Sequence, residues 1–141
     1  MPLKLSLKPG ERFVVNGAVL QNGDRRAVLL LQNKASILRE KDIIQPDDVN
    51  TPGRRIYFPI MMMYLDPSEA NKFYDEFVLR LNGFMGAIRS TDILKDCVSL
   101  SREVMSADYY KALTRCRKLL TYEQGLLGNV HSGVPERGEE D

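Results

Sequence analysis

The residues best suited to chemistry in this chain are cations, and they gather in its first third. Lys4, Lys8, Arg12, Arg25, Arg26, Arg39 and Lys41 recur through the first 41 residues, and Arg54-Arg55 follow beside Tyr57-Phe58. Lys and Arg at intervals along strands can neutralise the phosphates of a nucleic acid while backbone N–H groups contact its exposed bases. Arg54 and Arg55 beside Tyr57 add the combination of a cation with a stacking ring. Each feature has a plainer reading. Charged sheet faces maintain solubility and guard open edges, and the Arg54–Phe58 stretch equally describes a loop feeding a buried aromatic segment. Lys111, Arg115 and Lys118 have helical spacing and read as a solvated helix face.

Catalysis lacks its parts. The only histidine, His131, lies in a loose Gly-rich and acidic stretch where nothing could tune it. Cys97 and Cys116 have eighteen residues between them and no C-x-x-C, so they read as small hydrophobes on helix faces rather than metal ligands. There is no glycine-rich phosphate loop with its lysine, and no G-x-G-x-x-G after a strand. Gly83-Phe-Met-Gly86 falls inside a helical stretch and reads as close helix packing. The pairs Asp47-Asp48 and Asp75-Glu76 lie on expected surface, with no apolar setting to raise one pKa. The expectation is a protein that is not an enzyme, with no metal and no cofactor.

The elements that must position the cations are short strands. Leu3, Leu5 and Leu7 alternate with Lys4, Ser6 and Lys8, the period of a half-buried strand. Pro9-Gly10 closes it, Arg12–Val15 follows, and Asn16-Gly17 is a strong hairpin signal. Ala18–Gln21 returns, Asn22-Gly23-Asp24 turns again, and Arg25–Gln32 carries Ala-Val-Leu-Leu-Leu, which reads as a buried central strand. Ala35–Glu40 makes the fifth. The class is α+β: a small antiparallel sheet or barrel over residues 1–43, then a three-helix bundle. Residues 44–65 form a polar connector, broken by two prolines, and an apolar run from Ile56 to Leu65 expected as a buried strand or short helix. Helices are expected to start at Asp66-Pro67-Ser68-Glu69, at Ser90-Thr91-Asp92 and near Ser106 or Asp108, within residues 66–128. Residues 129–141 read as a disordered acidic tail.

Charge follows this division. Residues 1–55 hold ten basic against six acidic groups, residues 56–120 nine against eight, and residues 121–141 one against five. No apolar stretch is long enough to span a membrane, and the start lacks the apolar run of a secretory signal, so the expected location is the cytoplasm.

Two resemblances add to this reading. Leu3-Lys-Leu-Ser-Leu-Lys-Pro-Gly-Glu11 and Ala35-Ser-Ile-Leu-Arg-Glu-Lys-Asp-Ile43 resemble the first and last strands of the carbon storage regulator (CsrA) family, small β dimers that bind messenger leaders through those strands. The likeness puts Lys8 and Arg39 on family arginines, while Leu7 and Leu38 stand where that family has an arginine and a histidine. The whole chain to about residue 128 resembles the FlbT family of flagellum-biosynthesis repressors. The strings Asn16-Gly-Ala-Val, Gln21-Asn-Gly-Asp-Arg-Arg26, Gln32-Asn-Lys-Ala-Ser36, Leu38-Arg-Glu-Lys-Asp-Ile43, Ile56-Tyr-Phe-Pro59, Met61-Met-Met-Tyr-Leu-Asp66 and Tyr109-Tyr-Lys-Ala-Leu113 carry it. That resemblance implies binding of the flagellin mRNA leader, lowered translation and faster decay, and a FlaF-type flagellar regulator as partner. It assigns no individual RNA contact. The rival class is a protein-interaction module acting through a flagellin-associated partner, and an open sheet edge invites a homo-oligomer.

Overall fold

The computed structural model describes residues 3–132, with side chains through residue 126. Five strands come first: β1 (Leu3–Leu7), β2 (Arg12–Val15), β3 (Ala18–Gln21), β4 (Ala27–Leu31) and β5 (Ile37–Arg39). They form two small antiparallel sheets, β1 with β4, and β2 between β3 and β5. Asn16 (φ 49°) and Gly17 (φ 84°) turn β2 into β3, both left-handed as a two-residue hairpin of this hand requires. Leu5 and Leu7 are buried and Leu3 is exposed, so the alternation of the first strand fades at its outer end.

The strand expected at the centre lies at an edge. Among the described residues β4 pairs only with β1, and Val28, Leu29 and Leu30 are 53%, 42% and 58% exposed. A run of apolar residues specifies burial, but it does not say which surface buries it.

Two short 3-10 turns, Glu40–Asp42 and Pro46–Asp48, lead into α1 (Pro52–Leu65). The run read as a strand or short helix is thus a fourteen-residue helix that begins inside the expected connector. Thr51 caps it by accepting from the Arg54 N–H at 3.2 Å, with Pro52 in the first turn. Ile56, Tyr57, Pro59, Ile60, Met61 and Met63 are all buried. A helix apolar on nearly every side belongs at the centre, and α1 packs on both α2 (Ala70–Ala87) and α4 (Tyr109–Ser132). With α3 (Thr91–Met105) the described residues of the helical half form four helices where three were expected. α4 continues through Ser132, and the remainder of the expected acidic tail lies outside the described residues.

Ser90 caps α3 as its sequence suggests. Arg115 of α4 binds Glu103 bidentately at 2.9–3.0 Å and reaches Asp96 at 3.1 Å, so it joins α3 to α4 and leaves the expected basic stripe. Gly83 and Gly86 face open space, so the tight packing expected of them is not made. Cys97 and Cys116 are fully buried, and burial pushes both thiols up, Cys97 to about 11. Among the described residues no helix is long and apolar enough to cross a membrane.

Tyr57 ties α1 to the turn after β5, its hydroxyl donating to the Asp42 carbonyl at 2.6 Å. Burial pushes its phenol up to about 12. An upward shift means the stabilisation is complete below the ordinary value of 10 and lost as pH rises toward 12. Two pKa units correspond to about 2–3 kcal/mol. Denaturant titrations across that interval are expected to show this decline, and Tyr57→Phe to flatten it. Equal slopes in the two proteins would place the alkaline sensitivity elsewhere.

Candidate nucleic-acid interface

Antiparallel pairing sends β1, β3 and β5 out, and β2 and β4 back, at the same end of the β module. That end carries the turn after Leu7, the turn after Gln21 and the segment after Arg39. The two turns touch, since the Gly10 N–H donates to the Gly23 carbonyl at 2.8 Å. Asn22 Nδ2 donates to the carbonyls of Lys8 and Arg25, both at 2.8 Å. Glu40 accepts from the Arg12 N–H at 2.8 Å. Lys8, Arg12, Arg25, Arg26, Arg39 and Lys41 therefore gather at one end, although they span 33 residue steps of sequence. Lys4 stands apart, opposite Leu30 on β1.

The six are not equivalent. Lys8, Arg12, Arg25, Arg26 and Lys41 are exposed, and none of them enters an ion pair among the described residues. Arg39 is engaged: its Nε and Nη2 grip the Glu11 carboxylate at 3.0 and 2.9 Å, and Nη2 also donates to the Ser6 carbonyl. This clamp fastens β5 to β1 and so joins the two sheets. The same carboxylate accepts from the Lys8 N–H at 2.9 Å. The Arg39 guanidinium holds the Glu11 carboxyl below its ordinary value. A lowered carboxyl contributes above its unfolded value and loses that contribution as pH falls through the folded one, so the clamp loosens only in acid. Lys8, Arg39 and Lys41 line one notch of about 640 Å³ together with Pro9, Gly10, Glu11 and Glu40.

The secondary candidates separate. Arg54 donates to Asn50 Oδ1 at 2.9 Å and works as a helix-terminus contact. Arg55 is exposed beside a groove on the helical half, far from the strand turns in the chain. Tyr57 is only 1% exposed, which corrects the expectation of a stacking ring, because a base cannot reach either face.

A second cleft, of about 650 Å³, opens between β5 and the helices. Arg117 and Tyr110 line it, two residues that sequence reading did not single out. Only their meeting with β5, some seventy residues earlier, makes them notable. Among the described residues no group of three or more His, Cys, Asp or Glu comes together to hold a metal.

Comparison with known proteins supplies a family. The family model described as "Flagellar protein FlbT" matches residues 3–127. The "Flagellum biosynthesis repressor protein FlbT" of Caulobacter vibrioides is 65% identical over 139 residues, covering 99% of each chain. A "Probable flagellum biosynthesis repressor protein FlbT 1" of Bradyrhizobium diazoefficiens is 34% identical, covering 96% of this chain and 92% of its own. A Brucella anthropi relative is 33% identical over 126 residues, covering 89% of this chain and 82% of its own. No solved structure matches. With the family model spanning nearly every described residue and relatives aligned end to end, the chain belongs to the FlbT family of flagellar proteins.

Proposed function

We propose that this protein represses flagellin synthesis after transcription, binding the 5′ untranslated leader of flagellin mRNA in the cytoplasm, lowering its translation and promoting its decay. The observation that supports this reading is the gathering of Lys8, Arg12, Arg25, Arg26 and Lys41, exposed and outside ion pairs among the described residues, at one end of the β module. The relatives' names, flagellum biosynthesis repressors, agree with the regulatory part. Lys4 on β1 extends the basic surface away from that end.

The test is titration of the purified chain against a flagellin leader and a shuffled control at several salt concentrations. Log affinity is expected to fall with log salt by about 0.7 for each phosphate neutralised on single-stranded RNA. Changing Lys8, Arg25 and Arg26 together to glutamine should make that slope shallower by about 2, because three contacts are lost. All three side chains are exposed, so the fold should survive. Equal binding to leader and shuffled RNA would sink the reading.

A second reading, a protein-interaction module, draws on a different surface. An apolar groove of about 560 Å³ runs along the helical half, with Leu79 and Leu126 exposed and Arg55 and Arg80 beside them. It suits an amphipathic helix with acidic flanks, and a FlaF-type flagellar regulator is the partner we would test there.

A further inference from the structure

The cleft between β5 and the helices combines three features that suit a ligand. The first is a charge with too few partners. Arg117 of α4 meets one carboxylate among the described residues, Asp42 Oδ1, 3.3 Å from its Nε. The Tyr57 hydroxyl lies beside the same guanidinium, yet Nε and Nη2, both closed off from solvent, make no hydrogen bond of good geometry among the described residues. Buried donors this poorly satisfied are rare in folded proteins, and the rest of the Arg117 side chain, 30% exposed, leaves its charge open to an anion arriving in the cleft.

The second is a supported ring. Tyr110 is 52% exposed, and its ring lies 5.6 Å from that of Tyr64 at 46°. Tyr64 cannot swing away, because its hydroxyl accepts from the Ile37 N–H at 2.8 Å and donates to the Ile37 carbonyl at 2.9 Å. Tyr110 is thus backed on one side and open to solvent elsewhere, the arrangement on which an unstacked base settles. The third is charge at the margin: Lys34 and Lys41 are exposed and line the same cleft. At about 650 Å³ the cleft falls inside the range of roughly 300–1,000 Å³ common to small-molecule sites.

We infer that this cleft binds one ribonucleotide unit, with its phosphate drawn to Arg117 and its base laid on Tyr110. The inference deepens the RNA reading and rests on it, since a leader would deliver such a unit from an unpaired stretch. A free nucleotide offers the same chemistry. Lys41 belongs both to this cleft and to the notch bordered by Lys8, so a strand seated here would run on toward the basic end of the β module.

The experiment uses the full chain, whose six tyrosines and lack of tryptophan make tyrosine fluorescence a direct reporter. Adenosine monophosphate, inorganic phosphate and a flagellin-leader oligoribonucleotide are titrated in turn into the unaltered chain, Tyr110→Ala, Arg117→Met and Arg117→Lys. The nucleotide is expected to bind saturably, and at least tenfold more weakly to Tyr110→Ala and Arg117→Met. Phosphate should lose its binding in Arg117→Met and keep it in Tyr110→Ala. Arg117→Lys retains the charge and should recover part of the affinity. Should Arg117→Met fail to fold by circular dichroism, Tyr110→Ala at an exposed position still decides the question. Leader binding unchanged in Tyr110→Ala, with no saturable nucleotide binding, would overturn the site and leave the RNA reading standing. Variant-sensitive nucleotide binding without preference for the leader over its shuffled control would keep the site as one for free nucleotides and overturn the RNA reading.

Discussion

Replacing Glu123 by alanine is expected to lower the unfolding free energy by about 3 kcal/mol, from one buried and one part-buried donor left without an acceptor at roughly 1–3 kcal/mol each, with part recovered by relaxation. Glu123 lies on α4 and is only 8% exposed. Its carboxylate accepts from the Thr51 hydroxyl at 2.6 Å and from the Gly53 N–H at 2.7 Å. Those groups sit at the start of α1, where N–H groups have no partner within the helix and the macrodipole favours a negative charge. One side chain therefore caps the central helix from seventy residues away. Glu123→Gln keeps the shape and one acceptor oxygen, so its loss should be about half as large. Gly53 is part of the same device: a Cβ there would lie 2.8 Å from Glu123 Oε1 and 3.0 Å from Leu120 Cδ2. Gly53→Ala should then destabilise although alanine favours helix more than glycine does. Urea unfolding of the three variants decides it, and a Glu123→Ala protein as stable as the parent would show that water replaces the cap.

The parts of this fold that depend on neighbours along the chain are legible in the sequence itself. Asn16-Gly17 turns because both positions have positive φ, and Ser90 caps because its hydroxyl reaches the Ile93 N–H three residues on. The contiguous apolar run from Ile56 to Leu65 is ambiguous in sequence for a physical reason: a helix buried on most sides has no polar face to mark its period. Long-range partners are not legible at all. Arg39 has the charge of an RNA contact, and only folding brings Glu11, 28 residues earlier, into its grip. The convergence of five exposed cations at one end is likewise a product of strand direction, which spacing alone does not encode. Tyr57 shows the opposite failure, since an aromatic beside two arginines looks like a stacking site until α1 carries it into the core.

The unaltered chain is expected to sediment as a dimer, near twice its 16.1 kDa, and the double variant Val28→Glu, Leu30→Glu as a folded monomer. The register of β1 on β4 leaves an apolar edge. Lys4 pairs with Leu30 and Ser6 with Val28 on one face, while Leu5 pairs with Leu29 and Leu3 with Leu31 on the other. β4 is thus apolar on both faces, and Val28, Leu29 and Leu30 are all exposed. An edge strand of a monomer usually carries a charge, a proline or a bulge that blocks pairing; Ala27-Val-Leu-Leu-Leu31 carries neither charge nor proline. A two-stranded sheet is also marginal by itself. A second copy laid antiparallel, β4 on β4, would satisfy the open N–H and C=O groups through a two-fold contact. It would bring no like charges together, because the strand has none. Glutamates introduced by Val28→Glu and Leu30→Glu replace side chains already 53% and 58% exposed, so the monomer should keep its fold while the pairing face acquires opposed carboxylates. Pairing would also place two basic ends on one particle, doubling the phosphate contacts open to one leader and steepening its salt dependence. Sedimentation of both proteins across the micromolar range decides it: a parent chain that stays monomeric throughout would mean that something other than a second copy covers β4.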